Sequence, residues 1–179
     1  CWQLLEQPGN NQVRMSDIAK QSGVSRQAVY LHFPNRADLL SATTLYIDKV
    51  KDIDGRLAES RQATGTARLT SFIVAWGNYI PEIHGVAKAL MAMHDTDKEA
   101  AAAWDNRMAA VRHGCAAAVD ALVSAKRLNP TLTPEKATDI LLTLLSVSNW
   151  EHLTQTCGWP QATYIEHIQS LAHCALVGQ

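Results

Sequence analysis

Apolar residues recur along this chain at spacings of three and four, and the strict alternation of a half-buried strand is nowhere sustained. Between residues 16 and 40 the pattern is densest. Ile18, Ala19, Val24, Val29 and Phe33 mark the inward positions of two short helices, and Leu39 and Leu40 those of a third. Gly23 falls where the first of these must turn with a positive φ, which glycine adopts without a side-chain clash. Ser25 follows where the next helix needs an oxygen to cap its first turn. The small Ala19 lets the second helix cross close to the first, with Val29 packed beneath. Two short helices joined in this way form a helix-turn-helix, whose second helix enters the DNA major groove.

The rest of the chain keeps the helical period. Residues 1–6 are the last turns of a first helix, with Trp2 and Leu5 facing the motif, and Pro8-Gly9-Asn10-Asn11 is a turn by composition. Because the pattern is already helical at Cys1, a truncated first helix is expected. Pro34 and Asn35 end the second motif helix, and a long helix begins at Arg36 and runs through Leu40, Thr44, Ile47 and Val50. Further helices are predicted over 66–79 around Leu69, Phe72, Ile73 and Trp76, and from Pro81 through Ile83, Val86, Leu90 and Met93. Asp95-Thr96-Asp97 breaks the pattern, and 97–128 forms a long helix with Trp104, Met108, Val111, Cys115, Val119 and Leu122 in one stripe. Thr133-Pro134-Glu135 is a strong start signal: a capping hydroxyl, proline in the first turn, then an acid. That helix is expected to run to Gly158-Trp159-Pro160, followed by a last one over 161–177.

The predicted architecture is all-α, with an N-terminal three-helix helix-turn-helix domain at 1–45 and a C-terminal helical ligand-binding and dimerisation domain at 46–179. The last two helices are unusually apolar. Ile140, Leu141, Leu144, Leu145, Val147 and Leu153 line one; Tyr164, Ile165, Ile168, Leu171, Ala172, Ala175 and Leu176 line the other. Stripes this wide predict a homodimer through these two helices, a two-fold pair being the commonest arrangement; the competing reading is internal core.

The helix after Ser25 carries polar groups suited to a double-stranded DNA operator. Arg26 and Gln27 stand near its N-terminal end, from which base edges are contacted. An arginine pairs bidentately with guanine O6 and N7, a glutamine with adenine N6 and N7. Ser25, Tyr30 and His32 supply donors for phosphate oxygens, and Arg36 opens the next helix with a further cation.

The words Asp17-Ile18-Ala19, Gly23-Val24-Ser25, Tyr30-x-His32-Phe33 and Arg36 followed by Leu39-Leu40 resemble the DNA-binding signature of the tetracycline-repressor-like (TetR) family of bacterial transcription regulators. The resemblance covers most of the N-terminal domain; beyond it only helical architecture and length correspond. Two positions depart from the family pattern. Leu31 stands between the tyrosine and histidine where a basic or polar residue is common, and Arg14 stands near the place of a capping threonine. The resemblance implies a four-helix bundle across the dimer and a small-molecule pocket in the body.

Charge sharpens the picture. The formal net charge of the 179 residues is only −1, but Arg14, Lys20, Arg26, Arg36, Lys49 and Lys51 outnumber Asp17, Asp38 and Asp48 between 11 and 51. A basic end on an acidic body orients such a protein on a duplex. The pocket residues expected from the mix of aromatic, Met and polar side chains are Trp76, Tyr79, Met91, Met93, His94, Trp104, Met108, His113, Asn149 and Trp150, which suit a small, largely apolar effector. Helical core is the commoner meaning of such residues. Cys1, Cys115, Cys157 and Cys174 form no Cys-x-x-Cys pair and are expected as reduced, buried thiols of a cytoplasmic protein. No histidine pair has metal-ligand spacing, and neither a phosphate loop nor a nucleophile elbow is present. No metal, cofactor, catalytic residue or membrane span is therefore expected. The expected function is a ligand-responsive, sequence-specific transcriptional regulator, most simply a repressor on a near-palindromic operator. The alternative is a cytosolic helical enzyme or small-molecule carrier whose N-terminal hairpin only resembles a DNA reader.

Overall fold

The computed structural model describes residues 1–7 and 13–178, so the turn expected at 8–11 lies outside the described residues. The helices are α1 (Trp2–Leu5), α2 (Met15–Ser22), α3 (Arg26–His32), α4 (Arg36–Val50), α5 (Ile53–Arg56), α6 (Ala58–Gln62), α7 (Gly65–Met93), α8 (Lys98–Ser124), α9 (Pro134–Leu144), α10 (Val147–Glu151) and α11 (Gln161–Leu176). A π-helical turn, His152–Thr156, continues α10. Among the described residues the only extended pairing is an isolated antiparallel bridge between Leu128 and Val177, so the chain is all-α.

Contacts divide the chain into two compact units, Cys1–Lys51 with Ile83–Ala109, and Asp52–Glu82 with Ala110–Gln179. In the first, Leu4, Leu5, Ile18, Ala19, Val29, Leu39, Leu40 and Ile47 share one core with Val86, Leu90, Met93, Ala100 and Ala103. The N-terminal helices thus close their core with the end of α7 and the start of α8, which fits the small apolar surface that some fifty residues can bury alone. In the second unit, Leu69, Phe72, Ile73, Trp76, Tyr79 and Ile80 of α7 are buried, as are Val111, Cys115, Val119 and Leu122 of α8. So are Leu141, Leu145, Val147, Trp150, Tyr164, Ile165, Ile168, Ala172 and Leu176.

Local signals act where the sequence places them. Gly23 has φ +67° and ends α2, with the Val24 N–H donating to the Ala19 carbonyl at 3.1 Å. The Ser25 hydroxyl accepts from the Ala28 N–H at 3.1 Å. Thr133 caps α9 by accepting from the Lys136 N–H at 3.4 Å. At Arg14 no side-chain oxygen is available, and the Asp17 carboxylate instead accepts from the Arg14 N–H at 3.2 Å, half of a capping box.

Three expected boundaries move. The helices predicted on either side of Pro81 are one, α7, with Pro81 inside it. A proline there leaves the carbonyl four residues earlier without its N–H partner. That carbonyl belongs to Gly77, and the Gln161 Nε2 donates to it at 2.9 Å, so the gap is filled from α11. Gly77 also leaves room for the end of the Ile165 side chain, which a Cβ there would displace. The helix predicted from 134 onwards breaks at Leu145, where Ser146 caps α10 by accepting from the Asn149 N–H at 3.2 Å. The long helix expected to reach 128 ends at Ser124, and Lys126 adopts φ +55°. The Arg127 N–H then returns to the Leu122 carbonyl at 2.8 Å.

Two of the four thiols are exposed against expectation. Cys115 is buried and desolvation pushes it up to about 12, whereas Cys157 and Cys174 are exposed because they lie outside the buried stripes of their segments.

Candidate nucleic-acid interface

The α3 helix buries Val29, leaves Ala28 half-buried and turns its other residues outward. Ser25, Arg26, Gln27, Tyr30, Leu31 and His32 are all exposed. The Arg26 guanidinium lies 5.4 Å from the Tyr30 ring centroid and donates to its hydroxyl at 3.3 Å. That hydrogen bond raises the arginine above its ordinary value, so it stays charged. Tyr30 therefore braces Arg26 across one helical turn. Gln27 stands one turn ahead of Leu31, on the same outward face. Ser25 already spends its oxygen on the helix cap, though its hydroxyl proton remains a donor.

Arg36 sits differently from the other expected DNA contacts. Its side chain is only 11% exposed. It donates to Asp97 Oδ2 at 2.5 Å, to the Val13 carbonyl, and to Met93 Sδ at 3.6 Å, while its backbone N–H donates to Glu99 Oε1 at 3.1 Å. Asp97 in turn uses Oδ1 to accept from the Glu99 and Ala100 N–H groups at 3.1 and 3.2 Å, capping α8. The result is a tie from the start of α4 to the start of α8.

Leu31 is the residue that the sequence reading left without a role. It is 81% exposed, the most exposed of the large apolar side chains. The available signal was an apolar residue on the helix face opposite Val29 and Phe33.

The expected pocket residues divide between the two units. Met91, Met93, His94, Trp104 and Met108 belong to the first; Trp76, Tyr79, His113, Asn149 and Trp150 belong to the second. Met93 and Tyr79 are fully buried, and Trp104 packs on the first unit's core. The His94 imidazole lies 3.2 Å from both Asp95 and Asp105, whose hydrogen bonds raise its pKa. Met91 and Met108 are half-buried. Two polar groups finish helix ends: the Trp76 indole donates to the Leu145 carbonyl at 3.2 Å, and Asn149 Nδ2 to the Leu144 carbonyl at 2.9 Å. The Trp150 indole donates to Gln161 Oε1 at 2.8 Å and so orients the amide that serves Gly77. Of the residues expected, His113 lines a cleft in the second unit. No group of three or more potential metal ligands occurs among the described residues, and no described helix is long and apolar enough to cross a membrane.

An outward-facing α3 with a braced arginine and a free glutamine, capped by Ser25 after a Gly23 turn, defines a helix-turn-helix DNA-binding head. Residues 2–43 match the family model for bacterial regulatory proteins of the tetR family. The head thus matches the DNA-binding region of the TetR family over residues 2–43. Regulators of this family bind DNA and usually act as dimers.

Solved structures share the fold over nearly the whole length. A TetR-family transcriptional regulator from Rhodococcus sp. superposes with a TM-score of 0.75 at 19% identity, covering 97% of this chain and 93% of that one. A transcriptional regulator from Saccharomonospora viridis in complex with choline gives 0.74 at 16% identity, covering 99% and 94%. NalD of Pseudomonas aeruginosa, the secondary repressor of the MexAB-OprM multidrug efflux pump, gives 0.66 at 20% identity, covering 98% and 91%. No curated protein matches the chain.

Proposed function

We propose that this chain is a ligand-responsive repressor that binds a near-palindromic operator as a homodimer, in the cytoplasm and without catalysis. The observation that carries the reading is the outward face of α3, on which Arg26, Gln27, Tyr30 and Leu31 stand clear of the protein core. Arg26 and Gln27 read base edges, Tyr30 and His32 reach phosphates, and Leu31 offers an apolar surface to a thymine methyl group. The repressor named among the structural relatives supports the direction of regulation, and the choline complex supports response to a small molecule. Dimerisation is assigned to α9–α11, where Ile140, Leu144 and Leu153 remain half-exposed and Leu171 is 53% exposed after the monomer core is filled.

Helices α7 and α8 each contribute residues to both units. A ligand that binds two arrangements of the body unequally would shift these helices. The Arg36–Asp97 tie would pass that shift to α4 and to the head.

The test is selection from random duplex DNA with the purified chain at near-physiological salt. The expected product is an inverted repeat whose half-sites lie about 34–36 Å apart or at a longer helical spacing. Failure to enrich any repeat, with the dimer intact, overturns the reading in favour of an enzyme or carrier.

A further inference from the structure

The second unit contains a cleft whose chemistry differs from that of an apolar effector pocket. It measures about 240 Å³ and lies between α6, α7 and α8. Its floor is Phe72, which is 5% exposed, and its walls include Leu57, Gly114 and Ala117. The space exists because small residues line α8 here. A Cβ on Gly114 would lie 2.8 Å from the Phe72 ring, so only glycine lets the ring settle against the helix.

Arg68 and His113 stand on the walls. Arg68 is half-buried, and among the described residues its guanidinium has neither an ion pair nor a hydrogen-bond partner. Its neighbours are otherwise engaged. Arg61 holds Asp54 at 2.6 Å, Glu59 accepts from the Ser71 hydroxyl at 3.0 Å, and the Ser60 hydroxyl donates to the Arg68 carbonyl at 3.3 Å. Asp120 lines the adjoining groove, which Arg68 also borders, without pairing to it. A half-buried arginine with no counter-charge beside it leaves its guanidinium fork available, and an anion placed there gains a charge-assisted hydrogen-bonded pair. The guanidinium fork fits a carboxylate with two parallel hydrogen bonds.

We propose that this cleft binds a small organic monocarboxylate, with its apolar body against Phe72 and its carboxylate on Arg68. The volume is below the roughly 300–1,000 Å³ of sites for drug-sized ligands, so the ligand is of single-ring size. The inference rests on the reading of the body as a ligand sensor and names the chemical class sensed.

The test is titration calorimetry on the intact dimer without DNA, with benzoate as the probe and benzamide as its neutral counterpart. Benzoate should bind the wild type at least about tenfold more tightly than benzamide, the size expected for one charge-assisted pair. Arg68→Gln should erase that preference, Arg68→Lys should keep part of it, and Ala117→Leu should block both probes while the helical circular dichroism is unchanged. Equal affinity for the two probes, unchanged benzoate binding in Arg68→Gln, or no benzoate binding at millimolar concentration overturns the site. Operator binding is measured separately with and without benzoate. Benzoate bound through Arg68 with no change in operator affinity upholds the site and overturns the sensor reading.

Discussion

Leu31 carries a prediction that its neighbours cannot. Arg26 and Gln27 belong to a DNA-reading pattern by type, whereas Leu31, 81% exposed, adds an aliphatic surface to the same outward face. If that surface meets a thymine methyl, Leu31→Ala should weaken binding to the selected operator by about 1 kcal/mol. On an operator with deoxyuridine replacing thymine, wild type and variant should bind alike. Equal losses on both DNAs would assign Leu31 to a backbone contact instead. Arg36 shows the opposite outcome for a charged residue. Its type suggested a phosphate contact, and its surroundings make it an internal tie.

Pro81 and Gln161 show how one helix depends on another. The Gly77 carbonyl beneath Pro81 keeps a donor only because the Gln161 amide supplies it. Gln161→Ala should destabilise the protein by about 1–3 kcal/mol in urea denaturation. In a Pro81→Ala background the restored N–H reaches the same carbonyl, so the loss should shrink. The Trp150 indole loses its acceptor in both backgrounds and cancels from the cycle. Equal losses in the two backgrounds would remove Gly77 from the explanation.

At the other tie, burial pushes the Asp97 carboxyl up, but the Ala100 N–H, the Arg36 guanidinium and the Glu99 N–H together hold it below its ordinary value. A carboxylate with a lowered folded pKa stabilises the protein above its unfolded pKa and loses that contribution as pH falls through the folded value. Asparagine caps a helix as well as aspartate does. Asp97→Asn therefore keeps the α8 cap, removes the ion pair, and should cost about 1–3 kcal/mol at neutral pH. The difference from wild type should fade below about pH 4. A difference that persists unchanged at lower pH would point to the cap rather than the charge.

For the assembled molecule the decisive quantity is what stays uncovered. The monomer core takes Leu141, Leu145, Tyr164, Ile165, Ile168, Ala172 and Leu176, so the internal-core reading accounts for much of both apolar stripes. Leu171 remains outside, and Leu171→Asp leaves the monomer core untouched. Sedimentation should show the variant as a monomer with normal helicity. A dimer that survives it places the interface elsewhere. Loss of the dimer should also lower operator affinity, because each half-site would then be held by one head.

The head was legible because its signals are local. Gly23 permits its own φ, Ser25 and Thr133 cap the turns they precede, and the spacing of Ile18, Ala19 and Val29 sets one inward face; each acts within a few residues. The same locality explains the misplaced boundaries. Pro81 alone argues for a break, and the compensating donor is 84 residues away. Arg36 alone argues for DNA, and the carboxylate that holds it is 61 residues away. Periodicity cannot tell a pocket wall from a core position, and here Trp76, Asn149 and Trp150 spend their polar atoms finishing helix ends and orienting Gln161. The cleft at Arg68 was equally hidden, since it arises from what α8 lacks at Gly114 and Ala117. Periodicity and caps are properties of neighbours along the chain. Charge compensation, vacant volume and the closing of a core depend on residues that meet only when the helices pack.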